Sequence, residues 1–170
     1  MNDPSLFPDE WQAMKQADDG LRISRWHLRQ RDDFKDILLR ALGDLSEQAH
    51  ALRLLRDDAD LLSDAQLTEL APKIVDIAVD GNVDRLIVAR AVLVRYAAQF
   101  KPGRQIVKDS IDRLMDGYFG SNDDFIYRRL AELLIDIGHW DALKRLLVVS
   151  KDHRDPEIAD LHGDYLPHLP

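Results

Sequence analysis

Glutamate, histidine and aspartate at short spacings are the residues of this sequence that could bind a metal or transfer a proton. The segment Glu47-Gln-Ala-His50 places a carboxylate and an imidazole one helical turn apart, as carboxylate-bridged di-iron sites do. Such a site needs this pair twice, together with two further glutamates, and the pair occurs only once here. We therefore expect Glu47 and His50 to be surface residues, and we predict no metal site.

Residues 80–84 read Asp-Gly-Asn-Val-Asp, which is similar to the beginning of a calcium-binding loop. An EF-hand loop needs glycine at its sixth position and a bidentate glutamate at its twelfth. Arg85 and Ala91 occupy those positions. The segment therefore predicts a turn followed by a helix cap.

The sequence contains none of the common catalytic or nucleotide-binding motifs. H-E-x-x-H, the P-loop, G-x-G-x-x-G and G-x-S-x-G are all absent. The chain has no cysteine, which excludes a disulfide scaffold, a thiolate zinc site and a cysteine nucleophile. We predict no catalytic residue and no cofactor. The alternative is an enzyme whose site is assembled from scattered aspartates, arginines and histidines, with His50, His139 and His162 as candidates.

The segment LRISRWHLRQR, residues 21–31, combines four arginines with a tryptophan. A helix would place Arg22, Arg25 and Arg29 on one stripe with Trp26 beside it. One interpretation is structural: Trp26 packs on the first helices and the arginines pair with nearby aspartates. A second is a protein-contact patch, because arginine and tryptophan are enriched at interface hot spots. We name these four residues as candidate partner-binding residues.

A third interpretation of residues 21–31 is nucleic-acid binding, with the arginines on phosphates and the tryptophan stacked on a base. The net charge of −8 and the isoelectric point near 5.1 argue against it, since nucleic-acid-binding domains usually carry a basic face. We therefore expect no nucleic-acid partner.

The loop GYFGSNDD, residues 117–124, is the second candidate binding surface. Its aromatic residues either fold back onto the core or form a binding tip, since functional residues concentrate on loops. Its aspartates can also cap the helix that follows. The candidate residues are Tyr118, Phe119, Asp123 and Asp124.

Helical periodicity dominates the sequence and predicts an all-α fold. Apolar residues recur at three- and four-residue spacings, and no segment alternates with a period of two. Residues 84–99 are apolar nearly all round and are predicted to be a helix buried on all sides. Pro72 falls within a helical stripe, so we expect a kink or a break there. Short connections predict that successive helices are antiparallel neighbours.

Residues 66–150 resemble HEAT or armadillo repeats. In residues 69–97, ELAPKIVDIAVDGNVDRLIVARAVLVRYA, a proline-containing helix, an acidic turn and an aspartate-led second helix follow in order. Residues 106–138 would be a second unit, and the aspartates at 84 and 124 lie one expected period apart. The resemblance implies a short α-solenoid of paired helices that binds proteins. A compact helical bundle is the alternative architecture.

Length and charge complete the expectations. A chain of 170 residues predicts one all-α domain over residues 1–170, with the acidic segment 1–20 and the tail 166–170 as loosely packed ends. The polar, acidic start and the lack of a long apolar run predict a cytoplasmic protein without a membrane partner. An acidic surface attracts basic partners. We therefore expect a protein-binding module, in its most concrete form a bacterial immunity protein that inhibits a toxin or enzyme.

Overall fold

The computed structural model describes residues 7–58, 61–99 and 101–170, and no strand occurs among them. The predicted all-α fold is confirmed. The helices in the described ranges are α1 (Asp9–Arg29), α2 (Phe34–Gly43), α3 (Gln48–Asp57), α4 (Asp64–Asp80), α5 (Val83–Gln99), α6 (Lys101–Tyr118), α7 (Asp124–Ile137), α8 (Trp140–Lys151) and α9 (Pro156–Tyr165). One turn of 3₁₀ helix, Leu166–His168, follows α9.

The chain divides into two compact units, Met1–Ile37 and Leu38–Pro170. The first contains α1 and the start of α2, and the second contains α3 to α9. The single domain expected over residues 1–170 stays a prediction. Residues 1–6 of the acidic N-terminal segment lie outside the described residues.

Helix α4 lies at the centre of the second unit and packs against α5, α6 and α7. Its buried residues cover a little more than half of its circumference, and Glu69, Lys73 and Asp76 lie on the remaining side. The buried residues are Leu67, Leu70, Ala71, Ile74, Val75, Ile77, Ala78 and Val79. Helix α8 packs against α7 and α9 and extends the core toward the C-terminus.

Of the two outcomes expected at Pro72, the break does not occur, because α4 runs uninterrupted through it. A proline inside a helix costs about 3 kcal/mol through a lost hydrogen bond and a backbone clash. Burying one leucine or isoleucine side chain stabilises the fold by about 1.5–3 kcal/mol. The eight buried residues of α4 therefore outweigh the proline.

Helix α5 is not buried on all sides, which corrects the prediction from its apolar sequence. Val83 and Ile87, four residues apart on one face, are each about 60% exposed. The opposite face, with Leu86, Ala89 and Leu93, is buried against the core. In the described parts of the chain, no helix has both the length and the apolar character needed to cross a membrane.

Arg90 of α5 finds acidic partners on α7. Its guanidinium forms ion pairs of 2.5 Å with Glu132 and Asp136, as the sequence predicts for an arginine in an apolar helix, which needs Asp124 or another acid on a neighbouring helix as its partner. Burial alone would lower the pKa of Arg90, but hydrogen bonds to the two carboxylates outweigh it and raise the pKa. The network joins α5 to α7.

Two helix boundaries follow local signals in the sequence. Ser63 and Gln66 form a capping box at the start of α4: the Ser63 hydroxyl accepts from the Gln66 amide at 3.3 Å, and the Gln66 side chain accepts from the Ser63 amide at 3.0 Å. Gly138 ends α7 in the left-handed conformation, with a φ of 64°. Helix α6 begins at Lys101 and includes Pro102 and Gly103.

Replacement of Gly138 by alanine should destabilise the protein. A residue with a Cβ at a φ of 64° costs about 1–2 kcal/mol, so the free energy of unfolding in urea should fall by that amount. Gly163→Ala is the matched control, because Gly163 lies within α9 and a Cβ there meets nothing within 4 Å. The control should raise the unfolding free energy by up to about 1 kcal/mol. Equal effects of the two substitutions would contradict this assignment.

Candidate functional site

Exposed apolar side chains collect around the turn between α4 and α5. We define the turn surface as Leu45, Asp80, Val83, Asp84, Ile87 and Phe125. Its four apolar members are 59–67% exposed, and each either lies in the turn region or is linked to it through Arg85 or Arg129. The surface lies entirely within the second unit.

Two adjoining concavities, of about 230 and 370 Å³, lie beside the turn, and Val83, Ile87 and Phe125 lie outside the lining of both. They share Asn82 and Arg85. Leu45 and Asp80 line the larger one, and Asp84 lines the smaller one. The two concavities therefore meet at the turn, at Asn82 and Arg85.

Gly81 makes this turn possible. A Cβ at this position would overlap the carbonyl oxygen of Ile77, so any other residue would force the backbone to shift. The amide of Gly81 donates to that same carbonyl at 3.0 Å. The Asn82 side chain then accepts from the amide of Asp84 at 3.0 Å and starts α5. The predicted turn followed by a cap is confirmed.

Arg129 of α7 contacts both the turn and Phe125. One guanidinium nitrogen donates to the carbonyl oxygens of Val79 and Gly81, at 3.3 and 3.1 Å. The guanidinium carbon lies 6.0 Å from the centre of the Phe125 ring. Helix α4 has no basic residue in its last turn, so Arg129 supplies the positive charge that its C-terminal end favours.

Leu45 reaches the surface because the connection between α2 and α3 is a fixed turn. Asp44 accepts from the amide and the hydroxyl of Ser46, at 2.8 and 2.7 Å. Arg85 donates to the carbonyl of Leu45 at 2.7 Å. Leu45 therefore precedes α3, which begins only at Gln48.

The two acidic members of the surface, Asp80 and Asp84, are exposed. Within the described residues, neither carboxylate forms an ion pair or accepts a hydrogen bond from a side chain. Nearby Asp76 differs, because Lys73 lies 3.7 Å from it and the Tyr118 hydroxyl donates to it at 3.5 Å. Asp80 and Asp84 can therefore attract a cation on another molecule.

The four predicted loop residues make contacts within the second unit. Tyr118 contacts Asp76, and Phe119 stacks on Tyr127 with 6.5 Å between ring centres. Asp123 caps α7 by accepting from the amide of Phe125 at 2.9 Å. Asp124 pairs with Arg128 of the same helix at 3.2 Å. Direct contact of these four residues with a partner stays a prediction.

The other predicted patch lies on α1, in the first unit. Arg22 pairs with Asp19 at 3.5 Å, and Arg25 and Arg29 lie on the same stripe. Trp26 is 58% exposed and does not pack into a core as the structural interpretation expected; its nearest ring is that of His27, 5.0 Å away. The expected pairing of the arginines with nearby aspartates is confirmed for Arg22. A role of these residues in binding stays a prediction.

The histidines considered for an enzyme have separate surroundings. His139 is buried, and its Nε2 lies 3.1 Å from Asp112, a carboxylate that Arg145 also approaches at 3.7 Å. His162 Nδ1 lies 3.0 Å from the carbonyl oxygen of Leu147. His50 is exposed on α3. In the described ranges, no three histidine, aspartate or glutamate side chains are grouped so as to hold a metal ion.

Sequence reasoning missed the members of the turn surface as binding residues. Ile87 was assigned to a helix buried on all sides, although the small or polar residues Asp84, Ala91 and Ala98 follow the same side of α5 and could have marked it as exposed. Phe125 gives no local signal in the sequence, because its place beside the turn depends on hydrogen bonds from Arg129 to the end of another helix.

Comparison with protein families, curated proteins and solved structures finds no match.

Replacement of Arg129 by methionine should destabilise the second unit, because the Val79 and Gly81 carbonyls lose their donor. The expected loss is about 1–3 kcal/mol of unfolding free energy in urea. Arg113→Met is the control, since Arg113 donates only within its own helix, to Asp109 and Ser110. It should change stability by less than about 0.5 kcal/mol. Similar losses in both variants would refute the capping role.

Replacement of Tyr118 by phenylalanine should change how stability depends on alkaline pH. Burial, with help from Asp76 and Asp80, raises the pKa of Tyr118 above that of a tyrosine in the unfolded chain, about 10. The stabilisation is present below about pH 10 and is lost as the pH rises toward the folded-state pKa, because only the unfolded chain releases this proton.

Urea unfolding between about pH 9 and 11 should therefore show a shallower fall of stability for Tyr118→Phe than for the unmodified chain. Tyr127 and Tyr165 also have raised pKa values, so part of the slope should persist. An unchanged slope would show that Tyr118 is not the group responsible.

Proposed function

We propose that this chain is a non-catalytic protein-binding module and that the turn surface is its contact site. The observation that carries the proposal is the grouping of Leu45, Val83, Ile87 and Phe125 around one turn, each more than half exposed. Exposed apolar groups of this kind are typical of protein interfaces. An aromatic residue beside an arginine is the composition that interface hot spots favour.

Charge suggests the chemistry of the partner. Asp80 and Asp84 present carboxylates without ion pairs in the described part of the chain, next to the apolar residues. A partner with an apolar side chain flanked by lysine or arginine would match this surface. Such pairing raises association rates and selects against acidic partners. Phosphate would be repelled by a chain of net charge −8, so nucleic acid is not the partner we propose.

In its most concrete form, the proposal is a cytoplasmic immunity protein that inhibits a basic toxin or enzyme. Its support is the chain's acidity, its small size and the site described above. We also propose a HEAT-like arrangement of α4 with α5 and of α6 with α7. Helix α4 packs against α5 and carries the proline of the resemblance, whereas α6 packs mainly on α4 and α5 and only slightly on α7.

Affinity capture with matched variants tests the function. The bait would be the full chain, Phe125→Ala, the double variant Asp80→Asn with Asp84→Asn, and Val148→Ala. Val148 is the control because it is 67% exposed on α8, outside the turn surface. A specific partner should bind the unmodified chain and the control equally and should bind Phe125→Ala at least about tenfold more weakly.

The aspartate variant should also lose affinity, and more so at low salt, where charge contributes most. If the captured protein is a toxin, adding the unmodified chain should abolish its activity and adding Phe125→Ala should not. Equal retention of every partner by all four baits, or no partner at low salt, would refute the proposal.

A further inference from the structure

Helix α1 presents an amphipathic face that stays exposed among the described residues of its unit. It has 21 residues, and none of them is buried. Trp11, Met14, Leu21 and Leu28 recur at spacings of three and seven and share one stripe. Phe7 extends the stripe by stacking on Trp11, with 5.8 Å between ring centres. The first three members of the stripe are 44–49% exposed.

We propose that this stripe is a self-association surface, on which α1 of a second copy of the chain packs antiparallel. The spacing is that of a two-stranded helical pair, in which every third or fourth residue contacts the partner helix. A helix of 21 residues is about 30 Å long, enough for several contact layers. The proposal concerns the first unit only and is independent of the turn surface.

The charges of α1 fix the orientation. Within α1, residues 9–19 contain four acids and one lysine, whereas residues 20–29 contain three arginines and no acid. An antiparallel pair places the acidic half of each helix against the basic half of the other. The same complementarity applies to the aligned backbone dipoles. A parallel pair would place halves of like charge together along the whole contact.

The stripe itself contains two charged residues, and one of them, Arg25, also favours the antiparallel orientation. Asp18 and Arg25 lie among the apolar residues, at the same seven-residue spacing. In a parallel pair, Arg25 would face Arg25 of the second copy, at a cost in repulsion. Asp18 does not discriminate, because it lies near its own copy in both orientations when the antiparallel pair is centred near residues 17–18. In an antiparallel pair centred near residues 17–18, Arg25 lies opposite Trp11 of the second copy, where a cation–π contact is favourable. Met14 then lies near Leu21 of that copy.

Trp26 lies outside this stripe and provides a matched control. It follows Arg25 by one residue, about 100° around the helix, and is 58% exposed. Trp11→Ala removes an indole ring from the proposed contact between the two copies of α1. Trp26→Ala removes the same ring from the same helix, but outside that contact. A general effect of losing an exposed tryptophan would affect both variants equally.

Sedimentation equilibrium of the full chain over a wide concentration range is the first test. The unmodified chain and Trp26→Ala should approach twice the mass of the 19.5 kDa monomer as concentration rises. Trp11→Ala should need at least about tenfold higher concentration to reach the same dimer fraction. A monomeric mass at every concentration, or equal weakening by both substitutions, would overturn the proposal.

Thiol cross-linking tests the orientation, because the natural chain has no cysteine. A Met14→Cys copy mixed with a Leu21→Cys copy of different tag should give a mixed cross-linked dimer with a short bifunctional thiol reagent. Leu28→Cys should not cross-link to itself, since its two copies lie about 30 Å apart in an antiparallel pair. Cross-linking of Leu28→Cys without the mixed product would contradict the antiparallel arrangement.

Discussion

The structure of the second unit depends on the burial of α4 and on what its buried C-terminal end requires. A helix end leaves carbonyl groups without partners, and these must be satisfied when water is excluded. Helix α4 supplies no basic residue in its last turn, and a glycine is the only residue that fits after it. Arg129 therefore reaches from α7 to Val79 and Gly81, which couples the packing of the core to the conformation of the turn.

Arginine and lysine side chains donate to backbone carbonyls near other helix ends of the second unit as well. Arg85 donates to Leu45, Arg104 donates to Ala97 and Lys108 donates to Gly138, each at or just past the end of a helix. Arg95 likewise donates to the carbonyl of Arg56 near the end of α3. Positive groups are thus held at backbone carbonyls, while Asp80 and Asp84 stay exposed at the turn. An acidic, apolar surface is the consequence.

The sequence was sufficient for features set by neighbouring residues and insufficient for those set by distant ones. The capping box at Ser63, the cap at Asp123 and the left-handed Gly138 could be read directly, because each depends on a few adjacent residues. Pro72 and the exposed face of α5 could not, because tertiary packing decides whether a helix continues and which side it buries. The turn surface was missed for the same reason: Phe125 and Gly81 are brought together by an arginine 48 residues from the glycine.

Native-state hydrogen exchange tests most directly the claim that α4 is the element on which the second unit depends. Amides of residues 74–79 should exchange only through global unfolding, with the largest protection in the chain, and those of α1 should exchange faster because that helix buries no residue. The Arg129→Met variant should lower protection first at the end of α4. If α4 opened at a lower free energy than α8 and α9, the account would be contradicted.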